Sequence, residues 1–235
     1  MIKKAMILAA GYGKRLLPLT LDCPKPLLKI GEETLLSNTI KFLQKYGINQ
    51  VVINTHYLGD QIINYLNANK FNLKINLIQE KDKILNTGGG VLNAINHFSN
   101  EPFIIINPDT IWSEKYLEEL KEMEKEFFIN DRCKCFLLVV DKDKSFDKSF
   151  KGDFNLEQKF INKKKNNNEL RYIYTGLQIM KPEVFSNENE KIFSINRIWD
   201  KLIKENFLYG IKSKLFFNHI STLKIYENLK KNFKY

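Results

Sequence analysis

Two glycines, Gly11 and Gly13, follow the apolar run Leu8-Ala9-Ala10, and Lys14 and Arg15 come directly after them. Lacking a Cβ, glycine lets successive backbone N–H groups turn toward a single anion, and the two cations add charge beside them. A planar guanidinium meets phosphate oxygens in pairs, whereas an ammonium acts as a compact point charge. Lys25 is such an ammonium, and it stands between Pro24 and Pro26, which limit the backbone on either side. This set suits a polyphosphate such as that of an NTP. Neither of two common phosphate loops is present: G-x-G-x-x-G fails because position 16 is Leu16, and G-x-x-x-x-G-K-[ST] does not occur.

An anion site of this kind needs a counterweight, and Asp109 follows the apolar stretch Phe103-Ile-Ile-Ile-Asn107 through Pro108. A carboxylate beside bound phosphates suits Mg²⁺, with a turn or cap role as the competing reading. Asp153, in Gly152-Asp153-Phe154, is a second available carboxylate or a turn residue. Gly88, Gly89 and Gly90 after Thr87 leave room for a flat base or sugar against the backbone, unless they form a flexible turn. Glu80 is placed to accept hydrogen bonds from sugar hydroxyls. His56, His97 and His219 have no metal-ligand spacing, so a structural role is the default for each.

The elements that must position these residues can be read from periodicity. Lys4 to Ala10, Gln50 to Asn54, Leu73 to Gln79 and Pro102 to Asn107 are short apolar runs expected as buried strands. Helical spacing covers Leu35 to Tyr46, closed by Gly47, and Leu58 to Asn69, and a helix from Gly90 to Phe98 is opened by the glycines. Glu114 to Phe127 reads as a surface helix, Lys134 to Val140 and Tyr172 to Met180 as strands, and residues 141–172 as a hairpin excursion. Ser194 to Glu205 is helical, Tyr209 to His219 reads as two short strands, and a closing helix runs from an N-cap at Ser221 to Phe233. Strands alternating with helices give an α/β protein with a mainly parallel sheet, in which ligands bind beyond the strands' carboxyl ends. The glycine loop, the glycine run at Gly88 and Asp109 all fall at such ends.

Composition bounds the rest. The 235 residues, 43% of them hydrophobic, suffice for a single domain, with residues 1–140 as nucleotide-binding core and 141–235 as excursion and closing elements. The net charge of +10 comes from Lys scattered among Asn and Ile, without the interleaved aromatics of a nucleic-acid surface. The one tight basic cluster, Lys163 to Lys165 followed by Asn166 to Asn168, reads as a solvated loop. Three cysteines cannot all pair, so a reduced, cytoplasmic protein is expected. The apolar start runs straight into the glycine loop and is too short for a signal peptide, and no stretch is long enough to span a membrane. No nucleic-acid or membrane partner is expected.

Together, Leu8-Ala-Ala-Gly-x-Gly-x-Arg15, Pro18-Leu-Thr20, Pro24-Lys-Pro26, Thr87-Gly-Gly-Gly90 and Asn107-Pro-Asp109 resemble the sugar-1-phosphate nucleotidyltransferases over nearly the whole chain. Gly152-Asp-Phe154, Tyr174-Thr-Gly-Leu177 and Ser221-Thr-Leu223 look most like the uridylyltransferases that act on N-acetylmuramate 1-phosphate in cell-wall recycling, with mannose-1-phosphate guanylyltransferases close by. The resemblance implies a Rossmann-like three-layer nucleotidyltransferase fold and partners that are an NTP and a sugar 1-phosphate, in a monomer or weak homo-oligomer. It implies that Arg15 holds the leaving phosphates, Lys25 the attacking and α-phosphates, and Asp109 the Mg²⁺. Leu8, Ala9, Ala10, Gly11, Gly13, Lys14, Gly88 and Asn107 would surround the nucleotide, with Glu80, Gly152, Asp153 and Thr175 nearer the sugar. Two positions depart from the pattern. Pro108 replaces a glycine, and His219 in Asn218-His-Ile-Ser-Thr222 stands where a second metal carboxylate is expected. Imidazole at His219 suits Mn²⁺ or Co²⁺ better than Mg²⁺, or meets phosphate as a cation, or marks a silent nucleotide-binding homologue.

Overall fold

The computed structural model describes residues 1–165 and 169–232. Asn166 to Asn168 of the basic loop and Phe233, the expected end of the last helix, lie outside the described residues. In chain order the elements are β1 (Lys4–Leu8), β2 (Lys29–Ile30), β3 (Glu33–Thr34), α1 (Leu35–Tyr46), β4 (Gln50–Thr55), α2 (Gly59–Ala68), β5 (Lys74–Gln79), α3 (Asn86–Ala94) and β6 (Phe103–Ile106). They continue as α4 (Tyr116–Ile129), β7 (Cys135–Asp141), β8 (Asn155–Glu157), β9 (Phe160–Asn162), β10 (Tyr172–Met180), α5 (Asn196–Lys204), β11 (Leu208–Lys212) and α6 (Leu223–Asn232).

Nine strands form one sheet in the order β5-β4-β1-β6-β10-β7-β11-β9-β8. The half that carries the glycine loop is parallel: β4 and β6 flank β1, and β5 lies outside β4. Beyond it the sheet is mixed. β10 runs antiparallel to both β6 and β7, β11 is parallel to β7, and the β8–β9 hairpin supplies the expected excursion. Tyr209 to His219 holds one strand rather than two. After β11 the described residues up to His219 make isolated bridges, Ser145 to Phe217 and Thr110 to His219.

Period-two alternation sends successive strand residues to two separate cores. Ala5, Ile7, Ile104, Ile106, Phe136 and Leu138 pack with residues of α1, α2 and α4 on one face. Met6, Phe103, Ile105, Leu137 and Val139 pack with α3 and α5 on the other, giving three layers. Cys135, the first residue of β7, lies in the second core, and Cys133, which precedes the strand, lies in the first.

The ends of α1 show why it forms where it does. The Thr34 hydroxyl accepts from the Ser37 N–H at 3.0 Å, and Gly47, at φ 100°, donates to Leu43 and Gln44 carbonyls. Its Leu36, Ile40 and Leu43 are fully buried, each side chain contributing about 1.5–3 kcal/mol. Two other helix starts differ from expectation. α3 begins at Asn86, so Gly88 to Gly90 lie inside it. At α6 the Ser221 hydroxyl is turned away to Asp147, and Thr222 accepts from the Ile225 N–H instead.

Candidate active site

The parallel strands deliver the glycine loop, the start of α3 and the Asn107–Asp109 turn to one end of the sheet, where they line a cavity of about 350 Å³. Ten residues expected at the site line it: Leu8, Ala9, Ala10, Gly11, Gly13, Lys14, Arg15, Lys25, Asn107 and Asp109. Pro108 sits in the turn, as its fixed φ allows.

Gly13 is what brings Lys25 to this loop. It sits at φ 65°, and a Cβ there would lie 2.9 Å from Thr20 Cγ2 and 3.3 Å from Lys25 Cβ. Thr20 Oγ1 donates back to the Gly13 carbonyl at 3.1 Å. Leu16, next to Arg15, is buried among Leu28, Leu35, Ile220, Tyr226 and Leu229, so the hydrophobic side of the loop is anchored by α6.

Lys25 Nζ lies 2.5 Å from Asp109 Oδ2, and both side chains are largely buried. A pair withdrawn from water needs its remaining hydrogen-bonding capacity satisfied. Asp109 Oδ1 is buried and has no hydrogen-bond partner among the described residues. Burial pushes the Asp109 carboxyl up, but the charges of His219 and Lys25 outweigh this and hold it at about 2. Burial pushes the His219 imidazole down, Lys25 and Arg15 add to the effect, and Asp109 opposes it.

His219 Nδ1 is 3.5 Å from Asp109 Oδ1, and the segment that carries it pairs with the Asp109 turn. The Ile220 N–H donates to the Asp109 carbonyl at 2.8 Å and the Ile111 N–H to the Asn218 carbonyl at 2.9 Å. Asp147 locks this segment, accepting from the Ser149 N–H and from the Ser149 and Ser221 hydroxyls. Burial raises the Asp147 carboxyl, yet the Ser149 and Ser221 hydrogen bonds prevail and leave it below its ordinary value. A depressed carboxylate stabilises the fold above about pH 4 and loses that contribution as pH falls through its folded-state value. Asp147→Asn should therefore lower the Tm by roughly 5 °C at pH 7, with the gap to the parent closing toward pH 3. A gap that widens on acidification would contradict the assignment.

The polar groups expected near the sugar are engaged by other residues of the chain. Glu80 is buried, its Oε1 accepting from Asn54 Nδ2 at 2.7 Å and its Oε2 from the Leu85 N–H at 2.7 Å. The Thr175 hydroxyl donates to the Leu138 carbonyl at 2.9 Å. Asp153 Oδ2 accepts the Tyr174 N–H at 2.9 Å, and burial raises its carboxyl. Gly152, at φ 85°, packs its α-carbon against the Leu170 carbonyl. Gly88 is likewise withdrawn from the cavity: its N–H donates to the Phe193 carbonyl at 2.9 Å, and the Phe193 ring fills the space beside it. Asn54, Ile84, Asn86 and Thr87 line the cavity in their place. Asn54 had a visible signal, a polar side chain directly after the apolar run Val51-Val-Ile53. Its Oδ1 accepts the Ala9 N–H at 3.0 Å.

Among the described residues no group of three or more His, Cys, Asp or Glu is arranged to hold a metal ion, and no helix is long and apolar enough to cross a membrane. One carboxylate with substrate phosphates is nevertheless a donor set that Mg²⁺ accepts, and the unpartnered Asp109 Oδ1 provides it.

Residues 4–192 match the sequence profile of the family described as nucleotidyl transferase. This chain belongs to that family. Over 222 residues, 93% of this nucleotidyltransferase and 91% of the relative, it is 27% identical to N-acetylmuramate alpha-1-phosphate uridylyltransferase of Caulobacter vibrioides. Mannose-1-phosphate guanylyltransferase 1 of Arabidopsis thaliana is 36% identical over 127 residues, which cover 52% of this chain but 35% of that protein. The crystal structure of HddC from Yersinia pseudotuberculosis superposes with a TM-score of 0.79 at 25% identity, covering 99% of this chain and all of that one, 100%.

Proposed function

We propose that this nucleotidyltransferase transfers a nucleotidyl group from an NTP to a sugar 1-phosphate, with UTP and N-acetylmuramate 1-phosphate as the preferred pair. A phosphate oxygen of the sugar 1-phosphate forms a bond to the α-phosphorus, the bond from that phosphorus to the β-phosphate oxygen breaks, and pyrophosphate leaves with the electron pair. The convergence of Lys14, Arg15, Lys25 and Asp109 on one cavity carries the reading. Phosphoryl-group transfer asks little covalent work of a protein, so positioning and charge neutralisation supply the rate. Arg15 and Lys14 neutralise the leaving phosphates, and Lys25 offsets repulsion between the attacking and α-phosphates. Asp109 would hold Mg²⁺ through Oδ1, and the ion when bound adds Lewis-acid stabilisation of the phosphate oxygens. Near-full-length similarity to the Caulobacter uridylyltransferase supports the choice of sugar and base and a place in cell-wall recycling.

The match to the Arabidopsis enzyme supports a second pair, GTP and mannose 1-phosphate. Purified protein, incubated with each NTP and each sugar phosphate with Mg²⁺ or Mn²⁺, should release pyrophosphate only when both substrates are present, and fastest with the first pair. Exclusive use of GTP would move the assignment to the second pair. Nucleotide binding without pyrophosphate release in any combination would mark His219 as the sign of a silent homologue.

A further inference from the structure

The cavity lining is of two chemical kinds. Lys14, Arg15, Lys25 and Asp109 supply its charge, whereas Leu8, Ala9, Ala10, Asn54, Ile84, Asn86 and Thr87 are uncharged. A triphosphate belongs with the cations, which leaves the neutral walls for the flat base.

One residue on those walls is held in an uncommon way. Asn86 opens α3 at φ 63°, a left-handed conformation that side chains other than glycine seldom adopt. Its neighbours fix it there. The Leu85 N–H donates to Glu80 Oε2, and the Leu85 carbonyl accepts the Phe193 N–H at 3.2 Å. On the other side Thr87 Oγ1 accepts the Ile195 N–H at 2.9 Å. Glu80 is tied in turn through Asn54 to the Ala9 N–H, so the two neutral walls share one buried hydrogen-bond relay. Asn86 itself is exposed on the cavity, and among the described residues its amide joins no hydrogen bond. Glycine would satisfy this backbone without strain; asparagine keeps a side chain at the same place. That side chain carries one acceptor and two donors, the complement of a base edge that alternates donor and acceptor.

We propose that Asn86 selects the base of the NTP, its amide hydrogen-bonding the base edge, with Glu80 as the positioning residue that holds it there. The assignment rests on the nucleotidyltransferase reading of this cavity. Asn86→Asp keeps a residue that tolerates the left-handed backbone but offers acceptors only. A carboxylate accepts from N1–H and N2–H of guanine and repels O4 of uracil.

The test compares parent, N86D, N86G and E80Q for equilibrium binding of UTP and GTP by calorimetry, with the Tm of each recorded. N86D should shift the UTP-to-GTP affinity ratio at least about tenfold toward GTP, and N86G, at an unchanged Tm, should lose about tenfold for the NTP the parent prefers. E80Q, which places an amide N–H against the donors of Asn54 or Leu85, should weaken both nucleotides alike and leave their ratio unaltered. A ratio that stays within about twofold of the parent in both Asn86 variants would overturn the assignment. A parent that binds UTP or GTP without transferring it would overturn the proposed reaction while leaving base selection to be judged by these ratios. A parent that binds neither would remove both.

Discussion

Asp109→Asn should lower turnover by about three orders of magnitude while leaving the protein folded. Asp109 and Lys25 are a largely buried pair, 2.5 Å apart, and both line the cavity. Held at about 2, the carboxyl is ionised at any pH used for assay, so the substitution removes a full negative charge. Three cations, Lys14, Arg15 and Lys25, then share the cavity with no protein anion among its lining residues. NTP phosphates would still be attracted, so the nucleotide KM should change far less than kcat. What is lost is the carboxylate oxygen left free for a divalent ion and the partner that aims the Lys25 ammonium. Steady-state pyrophosphate release across a Mg²⁺ titration checks this: the parent should saturate with metal, and the variant should stay at its floor. Turnover by Asp109→Asn within about tenfold of the parent would remove Asp109 from the metal role.

The second large effect concerns stability, and two physical terms oppose each other. Gly89 lies inside α3, where alanine is favoured over glycine by about 1 kcal/mol. Against that, a Cβ at Gly89 would sit 2.1 Å from the Lys191 carbonyl oxygen, a backbone atom that cannot swing aside. That carbonyl belongs to the segment whose Phe193 accepts from both the Gly88 and Gly89 N–H groups. Relief requires lifting the segment and breaking those bonds, at about 1 kcal/mol for each and more for the displaced Phe193 ring. The clash wins. Gly89→Ala should lower stability by about 2–4 kcal/mol, a Tm loss of roughly 4–15 °C for a chain of this size. Thermal melts of parent and variant decide it, and a Tm equal to or above the parent's would show that helix propensity prevails.

Much of the cavity lining could be read in the chain because it is local. Gly11 to Arg15 are contiguous, Lys25 is close in sequence, and Asp109 ends a strand whose apolar character fixes where its carboxyl end must lie. The alternation of strands and helices up to Phe103–Ile106 carries its own period, and the parallel half of the sheet follows from it. For the residues expected near the sugar, partners distant in sequence decide which polar atoms remain free. Glu80 is spent on Asn54 and Leu85, and Thr175 on Leu138, pairings that no spacing announces. The surroundings of the triple glycine are set in the same way. Missing side chains make room, and it is Phe193 and Lys191 of the same chain that take it up.

The place of β10 in the sheet has a consequence for a chain emerging from the ribosome. β6 and β7 both lie next to β10, pairing with it through Leu177 to Ile106 and Ile173 to Val140, and not with each other. Until residues 172–180 have been synthesised, each of those strands presents a row of unpaired peptide groups on that side, flanked by fully buried-type residues such as Ile104, Ile105, Leu138 and Val139. Such edges are templates for pairing with another nascent chain. The two halves of the molecule are thus welded by a strand that arrives late, and the interval before it arrives is when the chain most needs a chaperone.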